Sequence, residues 1–139
     1  MTVIARQEIF NKMIAHSKVE APIEATGYLA GIRTPEGIIA LEAYPMVNID
    51  ASAEHFSFSP EEQFRVMKEA RGKGLEMVAV YHSHPATPAR LSEEDIRLAY
   101  DPDMVHVIIS LKDDKVDIKA FNVRDSAVSE VKMEVKRHG

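Results

Sequence analysis

The segment Leu75-Glu76-Met77-Val78-Ala79-Val80-Tyr81 is apolar at all but one position, and Pro85 interrupts the chain just beyond it. A short run that is apolar on both faces reads as a central strand of a sheet. The residues directly after the run are polar, namely His82-Ser83-His84-Pro85. Residues two apart on a strand point the same way, so His82 and His84 offer two imidazoles to one point in space. Pro85 has no N–H to give to a ladder, so it ends the strand and leaves the two rings at its open end. The fold must therefore enclose a central strand while keeping that end within reach.

The rest of the chain supplies partners for this strand. Residues 6–18 place Ile9, Phe10, Met13 and Ile14, with Val19 one step further, at helical spacing, and Pro22 ends that helix. Gly27 to Ile32 is a short apolar strand, Thr34-Pro35-Glu36-Gly37 a turn, and Ile38 to Val47 the returning arm of a hairpin. His55 to Phe58 alternates as a strand. Ser59 is then an N-cap, Pro60 the first helical residue and Glu62 the far side of a capping box. Phe64, Val66, Met67 and Ala70 give this helix its apolar face, and Gly72 and Gly74 stop it. A second capped helix starts at Ser92-Glu93-Glu94-Asp95 and runs to about Tyr100, where Asp101-Pro102 breaks it. Met104 to Leu111 is another buried strand, and Val116 to Val123 and Val128 to Val135 alternate as strands nearer an edge, after a turn at Asp113-Asp114-Lys115. The sum is an α+β (mixed α/β) protein, one sheet with a few helices against it. With 139 residues, no repeat and no linker-like stretch, the expected organisation is one domain over residues 1–139.

Composition narrows the chemistry. The chain has no cysteine, which excludes disulfides, thiolate zinc sites, iron–sulfur clusters and a cysteine nucleophile. A formal charge of −5 argues against a broad grip on nucleic acid, and Lys132, Lys136 and Arg137 make too small a basic patch to reverse that. No apolar stretch approaches the roughly 20 residues of a membrane span. The first eight residues are charged and carry no signal-peptide block, so a cytoplasmic protein with no membrane association is expected.

Nitrogen-ligated chemistry falls to the six histidines. A catalytic zinc ion takes His nitrogen at about 2.0–2.1 Å and usually has three protein ligands plus water, so His82 and His84 need a third partner. Asp95, a short loop later, is the candidate, although Ser92 and Asp95 are also explained as the cap of their helix. A metal-dependent hydrolase also needs a general base. Glu24, just ahead of the strand Gly27–Ile32, stands where burial would raise its pKa, with Glu20 as a nearby competitor. From position alone Glu24 is as simply a surface residue after a helix break. His16, His55, His106 and His138 read as structural or surface residues, with His106 packed in an apolar strand, and the methionines read as core filling.

Glu24, then Gly27-Tyr28-Leu29-Ala30-Gly31, then His82-Ser83-His84-Pro85, then Ser92-Glu93-Glu94-Asp95 resembles the JAMM (MPN+) zinc metalloprotease family, in its small prokaryotic form. The family signature is a Glu before Gly-x-Leu-x-Gly, followed by His-Ser/Thr-His-Pro and Ser-x-x-Asp. Seven residues separate the second His from the Ser, as between His84 and Ser92 here. The resemblance implies a curved, mostly antiparallel, barrel-like sheet with helices packed on it, in a layout related to cytidine deaminases. It implies His82, His84 and Asp95 as ligands of one Zn²⁺, Glu24 as general acid/base, and Ser92 as a hydrogen-bond donor to the oxyanion. It also implies a hydrolase of peptide or isopeptide bonds after the C-terminal Gly-Gly of a ubiquitin-like or sulfur-carrier protein, whose tail could add as a strand to a sheet edge. The short passage from Asp95 to Met104 leaves no room for the insertions of polyubiquitin-cleaving members. Two other readings compete: a non-catalytic scaffold of the same fold, and a zinc deaminase. The intact residue set speaks against the first, and the lack of cysteine and of a His-x-Glu against the second.

Overall fold

The computed structural model describes residues 1–136, so Arg137, His138 and the end of the expected 1–139 domain lie outside the described residues. The chain runs β1 (Thr2–Arg6), α1 (Gln7–Glu20), β2 (Thr26–Thr34), β3 (Gly37–Met46), α2 (Pro60–Gly72), β4 (Glu76–His84), α3 (Glu93–Arg97), β5 (Val105–Ser110), β6 (Asp117–Arg124) and β7 (Ala127–Lys136). The strands are ordered β1-β3-β2-β4-β5-β6-β7 and close into a barrel, with β7 pairing back onto β1. The β1–β3, β1–β7 and β4–β5 pairs are parallel and the other four antiparallel. The mixed α/β architecture is as expected, and the sheet is a closed one.

Closure rests on β1, a strand that the sequence pattern does not reveal. Val3 and Ala5 alternate into the core while Ile4 is only half-buried, a period of two over a segment too short to register. The ladders do not run the full length of every strand: β1 pairs with β3 only through Gly37–Ala40, so among the described residues Glu42–Met46 has a strand neighbour only on its β2 side.

Bulges set which residues face which way. Opposite Leu29 and Ala30, β4 carries one extra residue, Val78. The extra residue shifts the alternation, so Ala79 and Tyr81 face the main core with Leu29, Val107 and Met13. Val80, His82 and His84 then point to the opposite face, where Val80 packs with Tyr28, Met46 and Val66 of α2. Gly27 and Gly31 are where β2 lets its neighbours approach. A Cβ on Gly27 would lie 2.5 Å from the Tyr81 ring, and one on Gly31 would lie 1.9 Å from the Ile39 carbonyl. The glycines are there because a side chain would collide with the strands on either side.

Several local expectations need correction. His55 to Phe58 is not a strand. It lies in the loop between β3 and α2, where buried Asn48 takes up the backbone groups that a ladder would use. The capping box of α2 is half formed: Ser59 accepts from the Glu62 N–H, but the Glu62 carboxylate turns away to accept from Val47 N–H at 2.9 Å. Only Val66 and Ala70 of α2 are buried, while Phe64 is 70% exposed and Met67 41%, and Val19 on α1 is also exposed. α3 is a short turn and a half that stops at Arg97, earlier than the expected Tyr100.

α1 lays Ile9, Phe10 and Met13 on the main core. His16 on the same helix lies with Nδ1 2.7 Å from the hydroxyl of fully buried Tyr81. Burial drives the Tyr81 pKa up, so its O–H donates and the imidazole accepts. Burial also holds His16 below its usual 6.5, against the opposing charges of Glu20 and Glu62. As pH falls the unfolded chain binds this proton first. The stability that comes from keeping His16 neutral is therefore complete above the unfolded value and drains away below it. In urea unfolding, the stability margin of wild type over His16→Asn should shrink between roughly pH 7.5 and roughly pH 5. A margin that grows over that interval would mean that the folded protein favours the charged imidazole.

Candidate metal centre

The end of β4 brings two histidines to the surface of the barrel, and three loops close around them. His82 is 1% exposed and His84 7%. The Nδ1–H of His84 donates to the Pro88 carbonyl at 2.9 Å, a bond made by the loop that Pro85 begins. That bond leaves Nε2 as the free nitrogen, and it lies 3.2 Å from Nε2 of His82. Asp95 reaches the same point from the first turn of α3. Its Oδ2 is 3.3 Å from His82 Nε2 and 3.5 Å from His84 Nε2. Around an ion with bonds of about 2.0–2.1 Å, tetrahedrally placed ligand atoms are separated by roughly 3.3 Å. The three measured separations fit that figure, so these residues are spaced to share one zinc-sized ion.

Glu24 completes the cluster. It is 3% exposed, its Oε1 stands 3.7 Å from His82 Nε2, and ligand atoms of Glu24, His82 and His84 all lie within 4.8 Å of one another. Backbone bonds pin it on both sides. Its N–H donates to Ser52 O at 2.8 Å and its carbonyl accepts from Asn48 Nδ2 at 2.9 Å. The next residue, Ala25, donates its N–H to Ser83 Oγ at 2.7 Å, and the Ser83 N–H donates back to Ala25 O at 2.9 Å. Ser83 thus ties Glu24 to the strand that carries both histidines. Glu20, the competitor, lies at the end of α1 and pairs with His16 instead.

The two carboxyls have been pushed apart. Burial raises Glu24 to about 8, helped by the charges of Asp95 and Glu94. Burial also works against ionising Asp95, but the neighbouring His82 and His84 and a hydrogen bond from the Ser92 N–H outweigh it and hold Asp95 far below the usual carboxylate range. One carboxyl is thus poised to carry a proton and the other to stay anionic, the division of labour an acid/base hydrolase needs. Ser92 and Asp95 also form the full capping box expected of them: Ser92 Oγ accepts from Asp95 N–H at 3.0 Å, and Asp95 Oδ2 accepts from Ser92 N–H at 2.9 Å. The cap and the cluster are one structure, because Oδ2 serves both.

Beside the cluster opens a cavity of about 450 Å³, walled by Tyr28, Phe56, Val80, Leu98 and Met104. Its lining includes Glu54, Glu94 and Asp101 and no lysine or arginine. Sequence patterning gives no sign of the loop that roofs it. Phe56 lies over the His82 ring at 4.8 Å between centroids, and His55 Nδ1 pairs with Glu94 at 2.9 Å, joining the 47–59 loop to α3. Asn48 shapes this loop through Nδ2 bonds to Glu24 O and His55 O and Oδ1 bonds from the N–H groups of Asp50 and Ser57. Asn48 stands in Asn48-Ile49-Asp50 just past the end of β3, and that placement is the only sequence signal.

Residues 6–124 match the family described as prokaryotic homologs of the JAB domain. The chain belongs to this family. It is 34% identical over 130 residues to the CysO-cysteine peptidase of Mycobacterium tuberculosis, covering 92% of this chain and 87% of that one. It is 36% identical over 86 residues to a probable TtuB-protein conjugate cleaving protease of Thermus thermophilus, covering 61% of this chain and 55% of the relative. The solution structure of a Desulfitobacterium hafniense protein superposes with a TM-score of 0.90 at 39% identity, over 98% of this chain and 94% of that one. The chain is a hydrolase of peptide or isopeptide bonds, which sets the scaffold reading aside. Among the described residues no helix is long and apolar enough to cross a membrane.

Asn48→Ala leaves the carbonyls of Glu24 and His55 without their donor in a buried setting. It should cost about 2–3 kcal/mol in urea unfolding and open the 47–59 loop to limited proteolysis. Unchanged stability together with an uncleaved loop would deny Asn48 this role.

Proposed function

We propose that this JAB-family enzyme is a zinc-dependent peptidase that cuts after the C-terminal Gly-Gly of a small ubiquitin-like or sulfur-carrier protein, residues 1–139 acting as one catalytic domain. The observation that carries the chemistry is the spacing of His82 Nε2, His84 Nε2 and Asp95 Oδ2 with a buried, proton-carrying Glu24 alongside. The substrate class is supported by the relatives, whose names specify a CysO-cysteine substrate and TtuB–protein conjugates.

His82, His84 and Asp95 hold the ion in this reading, and Glu24 stays outside the set. A bound zinc ion polarises the scissile carbonyl and lowers the pKa of water beside it. Glu24 takes the proton of the attacking water and hands it to the departing amine. Its burial favours that role, because a carboxyl with a raised pKa both accepts and releases a proton near neutral pH. Ser92 has its oxygen engaged by the Asp95 N–H, which leaves its own O–H free to donate to the carbonyl oxygen as charge develops there. Phe56 and the roofing loop keep bulk water from the His82 side. In this reading the extended tail is held by the 47–59 loop and the cavity wall beside the cluster.

Purified protein is expected to bind about one zinc per chain, with His82→Ala and Asp95→Ala unable to retain it under mild chelation. Glu24→Gln should keep zinc, measured by atomic absorption, while kcat on a carrier protein extended past its Gly-Gly falls by roughly 10²–10⁴-fold. Loss of zinc from Glu24→Gln would make Glu24 a ligand and overturn this assignment of roles.

A further inference from the structure

Among the described residues three buried side-chain polar atoms have no hydrogen-bond partner: Tyr44 Oη, His82 Nδ1 and His106 Nε2. Buried polar groups in folded proteins are nearly always paired, so each calls for an explanation. Tyr44 stands apart on β3, beneath the Lys73 ammonium. The other two belong together. β4 and β5 run parallel in a register that sets Val80 against His106 and His82 against Ile108. His106 is therefore one pleat repeat back from His82 on the adjacent strand, on the face that carries Val80, His82 and Ile108, while Val105 and Val107 turn into the main core. Both imidazoles line the same cavity.

Their chemistry is complementary. If Nε2 of His82 is reserved for a metal ion, its proton sits on Nδ1 and that nitrogen is a donor. Burial holds His106 below its usual pKa, with the neighbouring His82 pushing the same way, so His106 is neutral near pH 7. If that single proton sits on Nδ1, its Nε2 is an acceptor. A histidine that binds a metal almost always donates its second N–H to an acceptor that fixes ring and tautomer. His84 has such an acceptor in the Pro88 carbonyl. His82 has none as it stands, and on its face the one buried side-chain nitrogen or oxygen left unpaired among the described residues, besides its own Nδ1, is His106 Nε2.

We propose that His106 is a positioning residue for the metal centre, its Nε2 accepting a hydrogen bond from Nδ1–H of His82 once the Nε2 of His82 is engaged by the ion. This rests on the metal-ligand reading of His82. His106 touches no reacting atom. It selects the His82 tautomer that leaves Nε2 bare and keeps the ring pointed at His84 and Asp95, and by making Nδ1 a satisfied donor it strengthens Nε2 as a ligand.

The test is a competition titration of zinc against a chromophoric chelator, run on wild type, His106→Phe and His106→Gln. His106→Phe should bind zinc about 10–100-fold more weakly, whereas His106→Gln, whose amide oxygen can stand near the place of Nε2, should recover most of the affinity. A His106→Phe protein within about twofold of wild type would overturn the proposal. Should that variant fail to fold, long-range ¹H–¹⁵N spectra of the histidines in zinc-loaded wild type decide the matter. The expected pattern is His82 protonated at Nδ1 and His106 protonated at Nδ1 with a bare Nε2, and a proton on His106 Nε2 would refute the pair. Wild type that takes up no zinc would instead overturn the metal reading itself, so the two failures are told apart.

Discussion

The paired bonds between Ala25 and Ser83 hold the site together. In the proposed mechanism a general base is useful only if it stays fixed relative to the ion it serves, and Glu24 and the two histidines come from distant parts of the chain. The Ala25 N–H gives to Ser83 Oγ, the Ser83 N–H gives to Ala25 O, and Thr26 Oγ1 adds a third bond to the Tyr81 carbonyl. These bonds extend the β2–β4 ladder by one rung, past the point where its ordinary register ends at Thr26 and His82. Glu24 is thereby carried on the same rigid body as His82 and His84. The serine between the histidines serves this purpose, and its side chain is fully buried because it faces inward while the two rings face out.

The electrostatics follow from that rigidity. A carboxyl left to move would turn toward solvent and regain its ordinary pKa. Held in place at 3% exposure, Glu24 keeps the cost of its own charge, while Asp95 is offset by two imidazoles and a backbone N–H. The difference between the two carboxyls is thus a difference of partners more than of burial.

Much of this was legible in the sequence. The apolar run into His82-Ser83-His84-Pro85 announced both the central strand and its accessible end, since a period of two and a proline suffice for that. The Ser92-x-x-Asp95 cap was legible for the same reason, being a local pattern with local bonds. Glu24 was not separable from Glu20 by spacing; only the family pattern distinguished them, and the distinction lies in a contact across 58 residues between Ala25 and Ser83. β1 and the 47–59 loop escaped notice for a related reason. The five residues of β1 are ordered by parallel neighbours distant in sequence, β3 and β7, and the loop by a single buried asparagine. Tertiary context decided both. His55 to Phe58 shows the converse, a plausible alternation that no neighbouring strand was free to accept.

An open sheet edge pairs with any strand presented to it, including its own kind. Because β7 pairs back onto β1, the sheet has no terminal strand, and such edges are confined to the stretches where a ladder stops short of its strand's end. The cluster sits at the end of β4, outside the closing ladders, so the loops around it can be rebuilt while the barrel's register stays as it is.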